Sequence, residues 1–246
     1  MDKGLYLLMS GAKESMLSQT RVANNLANAK TTGFRADLQS FRSMPSLGDG
    51  LKSRVFVQTE RPGYNYSEGA LMSTGNPLDV AIKGEGWIAV QRPDGSEAYT
   101  RAGDFQVDQN GFLVNGAGYQ VIGNSGPIAI PPVERMQVGA DGTINILPLG
   151  APATAIEALD RIKLTKPELQ NLKKGTDGLF QDINGAVFPA DASVTLVTET
   201  LEGSNVNAIS ELTDMIALSR QFEMKVKFMN NLKDLGDKTD ALMRVS

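Results

Sequence analysis

The sequence predicts an α+β protein in which long N- and C-terminal helices pair as a coiled-coil-like inner domain, beside a central, mainly antiparallel β-domain. Two observations support this class. Both ends have apolar residues at helical spacing and no proline, whereas the middle is rich in glycine, proline and turn-forming dipeptides. These changes divide the chain into an N-terminal helix at 1–35, an extended connector at 36–69, a β-rich outer domain at 70–198 and a C-terminal helix at 199–246.

The N-terminal helix is predicted from a heptad pattern. Its apolar positions alternate steps of four and three residues, with Gln19 as the polar exception and Leu26 as the last member. A helix from about Lys3 to Ala29 is roughly 40 Å long at ~1.5 Å per residue, and Gly33 can end it. The predicted helix seam consists of Leu5, Met9, Ala12, Met16 and Ala23.

The C-terminal helix is predicted from the same spacing, with Ser219 as its polar exception. Two successive three-residue steps after Met229 shift the apolar positions around the helix, a stammer that overwinds a coiled coil locally. From Asn207 to Met243 this helix is roughly 55 Å long. Its predicted seam consists of Leu212, Met215, Phe222, Val226 and Met229.

Each terminal helix has one apolar side, and burial of that side against another element is what stabilises an amphipathic helix. We therefore expect the two helices to pair with each other, with neighbouring copies of the chain, or with both. The alternative is an ordinary helical layer that packs on the sheet of an α+β domain. Periodicity alone does not separate these arrangements.

The central domain is predicted from six Asp-Gly and Asn-Gly dipeptides between residues 94 and 185, each suited to a tight turn that needs positive φ. Short runs on either side of Asn110-Gly111 and of Asp141-Gly142 fit antiparallel hairpins. Residues 192–200 have a second interpretation, as the connector that returns to the C-terminal helix. Further candidate strands are 87–90, 119–122, 162–164 and 194–197.

The composition excludes several classes of site. The 246 residues include no histidine and no cysteine, which excludes a Ser-His-Asp triad, a Cys-His nucleophile, a zinc finger and any His-ligated metal. A formal net charge of −4 argues against nucleic acid as the main partner. Asp2 before the first apolar stretch and Lys13 after it do not fit a cleaved secretory signal.

Carboxylates are the remaining candidates for chemistry. A glycosidase needs only two of them at the right separation, and Asp79, Glu85, Asp104 and Asp108 all lie in the predicted sheet region. Acidic residues in hairpin-rich domains are more often turn residues. An exported, carboxylate-dependent hydrolase of cell-wall glycan is therefore the alternative to a structural protein, and we expect no catalytic residue, cofactor or metal.

Three strings are more specific than these patterns. They are NNLANAKTTGFR at 24–35, EGALMSTGNPLDVAIKGEGWIAV at 68–90 followed by YTRAGDFQVDQNGFLVNGAGYQVIG at 99–123, and LEGSNVNAISELTDMI at 201–216. Together, and in this order, they resemble the bacterial flagellar rod and hook family of axial proteins. The resemblance covers both ends of the chain and the front of the central domain.

The resemblance implies a non-enzymatic subunit of the flagellar basal body. In this family the terminal helices pair with each other and pack against those of neighbouring subunits as the inner tube of a helical assembly, which transmits motor torque. The implied partners are further copies of the chain, other rod proteins and the flagellar type III export apparatus, without nucleic acid or a small-molecule substrate. Export through that apparatus needs no cleaved signal peptide.

Within the family, the opening MDKGLYLLMSGA, the string TTGFRADLQSF at 31–41 and the brief connector resemble the proximal rod proteins. The short length excludes a hook protein with extra outer domains. Distal rod proteins, which carry a longer insertion after the first helix, are the nearest alternative.

The motif residues also have physical roles. One buried Asn in a helix pair can fix the register of the two helices at some cost in stability. Gly33 ends the first helix, and Phe34 can anchor the chain where it turns towards the sheet. Asn76-Pro77 favours a turn in which Asp79 can accept backbone hydrogen bonds. The predicted assembly and motif residues are Asn24, Asn25, Leu26, Asn28, Gly33, Phe34, Gly75, Asn76, Pro77, Leu78, Asp79, Gly203, Ser204 and Asn205.

Overall fold

The computed structural model describes residues 2–45, 55–152 and 155–245. It confirms the α+β class, with terminal helices that pack on each other and a central region of mostly antiparallel strands. Parts of the predicted connector, at 46–54, and of the predicted β-domain, at 153–154, lie outside the described residues. The contacts divide the chain into unit one, Met1–Ala29 with Ala36–Asn65 and Val206–Ser246, and unit two, Lys30–Arg35 with Tyr66–Asn205.

Unit one is built on two helices, α1 (Asp2–Ala27) and α2 (Ala208–Val245), of 26 and 38 residues. The Asn207 side chain caps α2, because its Oδ1 accepts hydrogen bonds from the N–H groups of Ile209 (3.1 Å) and Ser210 (3.2 Å). Glu211 in the first turn adds a favourable charge at the positive end of the helix dipole.

Two strands complete unit one, where the sequence predicts an extended connector. β1 (Asp37–Pro45) and β2 (Val55–Tyr64) pair antiparallel. The β-branched and aromatic run at the start of β2 favours strand structure. Side-chain hydrogen bonds connect β1 to α1. Gln39 Nε2 donates to Ser18 Oγ (2.9 Å), and Arg21 Nε donates to Gln39 Oε1 (2.9 Å).

Unit two is a set of short strands. Its largest sheet has eight strands, with β14, β15, β6, β5, β9, β8 and β7 in spatial order and β13 also paired with β5. A three-stranded sheet has the order β10, β11, β12, and two further pairs are β16 with β4 and β17 with β3. A 3₁₀-helix lies at Leu169–Asn171. The strands are β3 (Leu71–Ser73), β4 (Val80–Lys83), β5 (Trp87–Gln91), β6 (Glu97–Thr100), β7 (Phe105–Val107), β8 (Leu113–Asn115), β9 (Gln120–Val121), β10 (Val133–Val138), β11 (Thr143–Pro148), β12 (Glu157–Arg161), β13 (Leu164–Thr165), β14 (Leu172–Lys174), β15 (Phe180–Asp182), β16 (Thr195–Thr198) and β17 (Thr200–Glu202).

Both predicted hairpins are confirmed, because β7 pairs with β8 and β10 pairs with β11. Five of the six turn glycines have positive φ, among them Gly111 at 83° and Gly142 at 85°. The expectation is wrong for Gly116, where the positive φ falls on Gly118 instead. Gly116 is needed for space, since a Cβ there would lie 1.9 Å from Asp104 Oδ2.

The core of unit two comes from the aliphatic side chains of its strands. Full burial of one such side chain contributes about 1.5–3 kcal/mol, so this core is the main source of stability in the unit. Its most completely buried members are Val80, Ile82, Ile88, Val90, Leu113, Val121, Ile144, Ile162 and Leu164.

Candidate functional site

The seam predicted on α1 is mostly exposed. Leu5, Met9 and Ala23 are exposed, Met16 has 62% of its surface accessible, and Ala12 is buried. The side of α1 that is buried within unit one is instead small and polar. It consists of Ala12, Ser15, Ser18, Val22 and Asn25. The larger apolar side chains of α1 therefore remain available to other molecules.

The seam predicted on α2 is divided between two environments. Met215, Phe222, Val226 and Met229 are half-buried, whereas Leu212 is exposed. Several other apolar side chains on this helix are exposed as well, with Phe228 at 59%. Exposed apolar residues at four-residue intervals form a ridge along α2, which consists of Leu212, Ile216, Met224, Phe228 and Leu232. Arg220 interrupts the ridge between Ile216 and Met224.

We call these five residues the α2 ridge, and Leu5, Met9, Met16 and Leu17 the α1 ridge. All nine side chains are exposed. Single exposed apolar residues are ordinary, but rows of them along a helix are typical of an interaction surface.

Of the three motif asparagines in the last turn of α1 and just after it, only Asn25 is buried, with none of its surface exposed. Its Nδ2 donates to Asp37 O (3.1 Å) and Glu211 Oε1 (2.9 Å), and its Oδ1 accepts from Asp37 N (3.0 Å). Asn24 and Asn28 instead bind each other on the exposed side, through Asn28 Nδ2 and Asn24 Oδ1 (2.8 Å). Asn25 thus connects α1, β1 and α2, while the neighbouring motif residue Leu26 is half-buried.

A lysine provides a second polar contact between the helices. Lys225 Nζ on α2 donates to Gly11 O (2.7 Å) and to Ser15 Oγ on α1. Burial lowers the pKa of Lys225, and the negative charge of Glu14 opposes that shift. A Cβ at Gly11 would lie 3.6 Å from the Lys225 side chain, an ordinary van der Waals contact.

Gly33, Phe34 and Arg35 belong to unit two. Gly33 has φ 66°, and its N–H donates to Glu202 O (2.8 Å). Phe34 is buried, with Lys174 Nζ 3.7 Å from its ring centroid. Phe34, the residue predicted to anchor the chain, is thus buried and lies beside the ammonium group of Lys174.

Arg35, Arg101 and Glu202 form a buried ion cluster. Arg35 Nη2 lies 2.6 Å from Glu202 Oε1, and Arg101 Nη1 lies 3.1 Å from Glu202 Oε2. Arg101 also donates to Gly84 O (2.8 Å) and lies over the Trp87 ring at 5.6 Å. Burial lowers the pKa of Arg101, and the carboxylate of Glu202 opposes that shift. One buried carboxylate therefore balances two guanidinium groups.

The C-terminal motif lies beside this cluster. Gly203 N donates to Ala70 O (2.9 Å), and Asn205 Nδ2 donates to Ser67 O (2.9 Å). Ser204 is half-buried between them. The string at 201–216 thus meets the one at 68–90 within unit two, as well as the end of the string at 24–35.

The motif at 75–79 forms a turn. Asn76 Nδ2 donates to Asp79 Oδ1 (2.9 Å), and Asp79 N donates to Asn76 O (3.1 Å). Leu78 N donates to Asn76 Oδ1 (3.3 Å), while Gly75 has φ 72°. Pro77 lies within this turn, and its ring fixes the backbone angle φ at the position before Leu78. The motif positions the start of β4.

The four carboxylates considered for hydrolysis have different surroundings. Asp79 is fixed by its turn, and Glu85 forms an exposed ion pair with Lys166. Asp108 accepts hydrogen bonds from the N–H groups of its hairpin turn. Burial raises the pKa of Asp104, and the charge of Asp79 adds to that shift. These roles are those of turn and strand residues, and a glycan hydrolase is not supported.

No group of acidic residues suited to a metal ion occurs among the described residues. Neither helix in the described part of the chain is long and apolar enough to cross a membrane.

Sequence reasoning missed Arg35, Arg101, Glu202 and Lys225 as contact residues. The first three lie inside the quoted strings, in TTGFR, YTRAGDF and LEGSN, each within two residues of a glycine, and their membership of the strings was an available signal. Lys225 had no such signal, because a lysine on an amphipathic helix is usually exposed.

Comparison with known proteins places these features in a family. Residues 81–146 match the family described as the flagellar hook protein FlgE/F/G D1 domain. Residues 197–242 match the flagellar basal body rod FlgEFG protein C-terminal family. The first match includes part of the second string, and the second match includes the third string.

Curated relatives extend the match to the whole chain. The chain is 40% identical to the flagellar basal-body rod protein FlgF of Escherichia coli over 252 aligned positions, with 100% of both chains covered. It is 39% identical to FlgF of Salmonella typhimurium, again with 100% of both covered. Flagellar basal-body rod protein FlgG of Buchnera aphidicola is 31% identical, with 98% of this chain and 100% of the relative covered.

Proposed function

The chain belongs to the family of flagellar hook and basal-body rod proteins, and from this membership we propose that it is a proximal rod subunit that assembles through its terminal helices. It is a structural subunit of the flagellar basal-body rod and associates there with other rod proteins. The proximal position is supported by the full-length similarity to proteins named FlgF and by the opening string and short connector. A distal position is the second candidate, supported by FlgG relatives at 31% and 30% identity.

The observation that supports assembly through the helices is the exposure of the α1 and α2 ridges. Met16 and Phe228 leave 62% and 59% of their surfaces accessible in the single chain. Covering a large apolar side chain contributes about 1.5–3 kcal/mol. Nine such side chains on two helices therefore supply a driving force for packing against the helices of neighbouring subunits.

The partners we propose are further copies of this chain, the adjoining rod proteins and, during export, the flagellar type III apparatus. The subunit performs no catalysis and uses no cofactor in this scheme. The predicted assembly and motif residues have two separate tasks: Asn25 holds the helix pair together, and Gly33, Phe34, Gly203 and Asn205 organise unit two.

Ridge substitutions test the proposal. Met16→Glu or Phe228→Glu, expressed in cells that lack the chromosomal copy, should abolish incorporation into isolated basal bodies and reduce swimming. Matched controls place the same charge at exposed polar positions of each helix, with Thr20→Glu on α1 and Asn230→Glu on α2. Incorporation of both ridge variants at the control level would refute assembly through these ridges.

A further inference from the structure

The chain passes between unit one and unit two four times, after Ala29, Arg35, Asn65 and Asn205. Three segments of unit two adjoin these passages, namely 30–35, the start of 66–205 and its end. Within unit two, each of the three segments next to these passages is bound to Glu202 or to a residue within three positions of it. This convergence is independent of how the subunit assembles.

Glu202 makes three contacts with these segments and a fourth with Arg101. Its Oε1 accepts hydrogen bonds from Arg35 Nη2 (2.6 Å) and Gly69 N (2.9 Å), and its Oε2 accepts from Arg101 Nη1 (3.1 Å). Its backbone oxygen accepts from Gly33 N (2.8 Å). One residue therefore binds segment 33–35 through its carboxylate and its backbone oxygen, and segment 67–70 through its carboxylate.

Neighbouring hydrogen bonds complete the arrangement. Asn205 N donates to Phe34 O (3.3 Å), which joins segment 202–205 to segment 33–35. Gly203 N donates to Ala70 O, and Asn205 Nδ2 donates to Ser67 O, both at 2.9 Å. These two bonds join segment 202–205 to segment 67–70.

Two glycines make the close approach possible. A Cβ at Gly33 would lie 2.3 Å from the carbonyl carbon of Arg101, and one at Gly69 would lie 1.9 Å from Gly203 O. Both contacts involve backbone atoms that cannot turn aside. Segments 67–70 and 202–205 can therefore come this close only with glycine at position 69, and segment 33–35 can pass the backbone of Arg101 only with glycine at position 33.

The charge of Glu202 is the other requirement. The residue has no exposed surface, and Arg35 and Arg101 are 1% and 4% exposed. Arg35 Nε and Nη1 and Arg101 Nε have no hydrogen-bond partner among the described residues. Loss of the carboxylate charge would remove the buried counter-charge that both guanidinium groups contact, which is strongly unfavourable.

We propose that Glu202 is a positioning residue that holds together the three segments of unit two next to the chain passages, and that its negative charge rather than its volume is what holds them. The three segments bound in this way, 33–35, 67–70 and 202–205, form what we call the Glu202 clasp. The core of unit two is mostly aliphatic, so we expect the eight-stranded sheet to stay folded when the clasp is weakened.

The test is the variant Glu202→Gln, which keeps the volume and one acceptor oxygen and removes the charge. Hydrogen exchange in the full-length protein should become about a hundredfold faster at the amides of Gly33, Gly69 and Asn205. The amides of Ala89 and Ile122, which donate within the eight-stranded sheet and its neighbours, should exchange at the rate of the unsubstituted protein. Unchanged exchange at all five amides, or an equal rise at all five, would overturn the proposal.

A second variant keeps the proposal testable if Glu202→Gln folds poorly. Arg35→Met retains much of the apolar stem and removes one of the two buried positive charges. If Arg35 and Glu202 act through their shared contact, the double variant should exchange at Gly33 no faster than the more affected single variant. Multiplication of the two single effects in the double variant would refute a shared contact.

Failure of the clasp is distinguishable from failure of the proposed function. The clasp is measured by exchange in the isolated protein, whereas the ridges are measured by incorporation into basal bodies. Glu202→Gln leaves the α1 and α2 ridges unaltered.

Discussion

Asn25 of α1 and Glu211 of α2 share a hydrogen bond of 2.9 Å across 186 residues of sequence. The same amide group also binds the N–H and the carbonyl of Asp37, so both its oxygen and its nitrogen have partners. A buried side chain with all of its polar atoms paired specifies one arrangement of the elements around it, because any other arrangement leaves those atoms without partners.

Asn25→Asp is predicted to destabilise the protein by about 3 kcal/mol or more. The substitution removes the Nδ2 donor and places a buried carboxylate beside the half-buried carboxylate of Glu211. Urea unfolding followed by circular dichroism measures the loss. Asn24→Asp, one residue away on the exposed side, is the control and should change the unfolding free energy by less than about 0.5 kcal/mol. Equal effects of the two substitutions would contradict the assigned role of Asn25.

Gly33→Ala is predicted to cost more than Gly75→Ala, although both glycines have positive φ, at 66° and 72°. A methyl group at Gly75 has no heavy atom within 4 Å, so only the backbone strain of about 1–2 kcal/mol is expected. At Gly33 the same strain is joined by overlap with the backbone of Arg101 at 2.3 Å, for a total of about 3 kcal/mol or more. Thermal unfolding of both variants gives the comparison, and a smaller shift for Gly33→Ala would contradict it.

Local patterns explain why the helices and hairpins could be predicted from the sequence. Heptad spacing identifies α1 and α2, and Asn110-Gly111 and Asp141-Gly142 identify two hairpins, because each signal lies within a few residues of the structure it specifies. The pairing within 37–64 has a signal of the same kind, which the prediction of an extended connector left out. Its two strands are joined by a segment that contains Asp49-Gly50, a dipeptide suited to a tight turn.

The faces of the helices could not be predicted in the same way. Periodicity selects the most apolar side of α1, which includes Met9 and Met16, yet the side buried within unit one has Ser15, Ser18 and Asn25. Small and polar residues let the two helices approach and exchange hydrogen bonds. A sequence pattern does not distinguish a surface buried within the chain from one that other molecules cover.

The ion cluster was unpredictable for a different reason. Arg35 and Glu202 are 167 residues apart, and charged residues are mostly exposed in folded proteins. The three strings come together only in the folded chain. The strings alone do not indicate which of their charged residues form ion pairs.

The Lys225 ammonium group is predicted to titrate below its usual pKa of 10.5, because burial between the helices disfavours its charged form. Glu14→Gln should lower that pKa further, since the Glu14 carboxylate stabilises the ammonium group. NMR titration of the lysine side-chain signals measures both shifts. Glu223→Gln is the control, because residues two apart on a helix do not face each other, and it should leave the Lys225 pKa unaltered.

Asp104 and Asp108 are predicted to have opposite effects on the pH dependence of stability. Burial raises the pKa of Asp104 above its usual 3.8, so the folded state holds its proton more tightly than the unfolded chain does. The unfolding free energy therefore falls as the pH rises from about 3.8 through the raised pKa. Asp104→Asn removes this penalty and should raise the melting temperature at pH 7 by a few degrees, with the gain lost below about pH 3.8.

Asp108 supplies the matched comparison. The pKa of Asp108 is lowered, mainly by the hydrogen bond that its carboxylate accepts from Phe112 N. Its ionised form therefore stabilises the fold above about pH 3.8, and that stabilisation is lost as the pH falls through the lowered pKa. Asp108→Asn should therefore lower the melting temperature at pH 7 and converge on the unsubstituted protein in acid. Melting curves of the three proteins between pH 3 and pH 8 measure both effects. A lower melting temperature for Asp104→Asn at pH 7 would contradict the unfavourable burial of that carboxylate, because the amide retains an oxygen that can accept the hydrogen bond from Gly116 N.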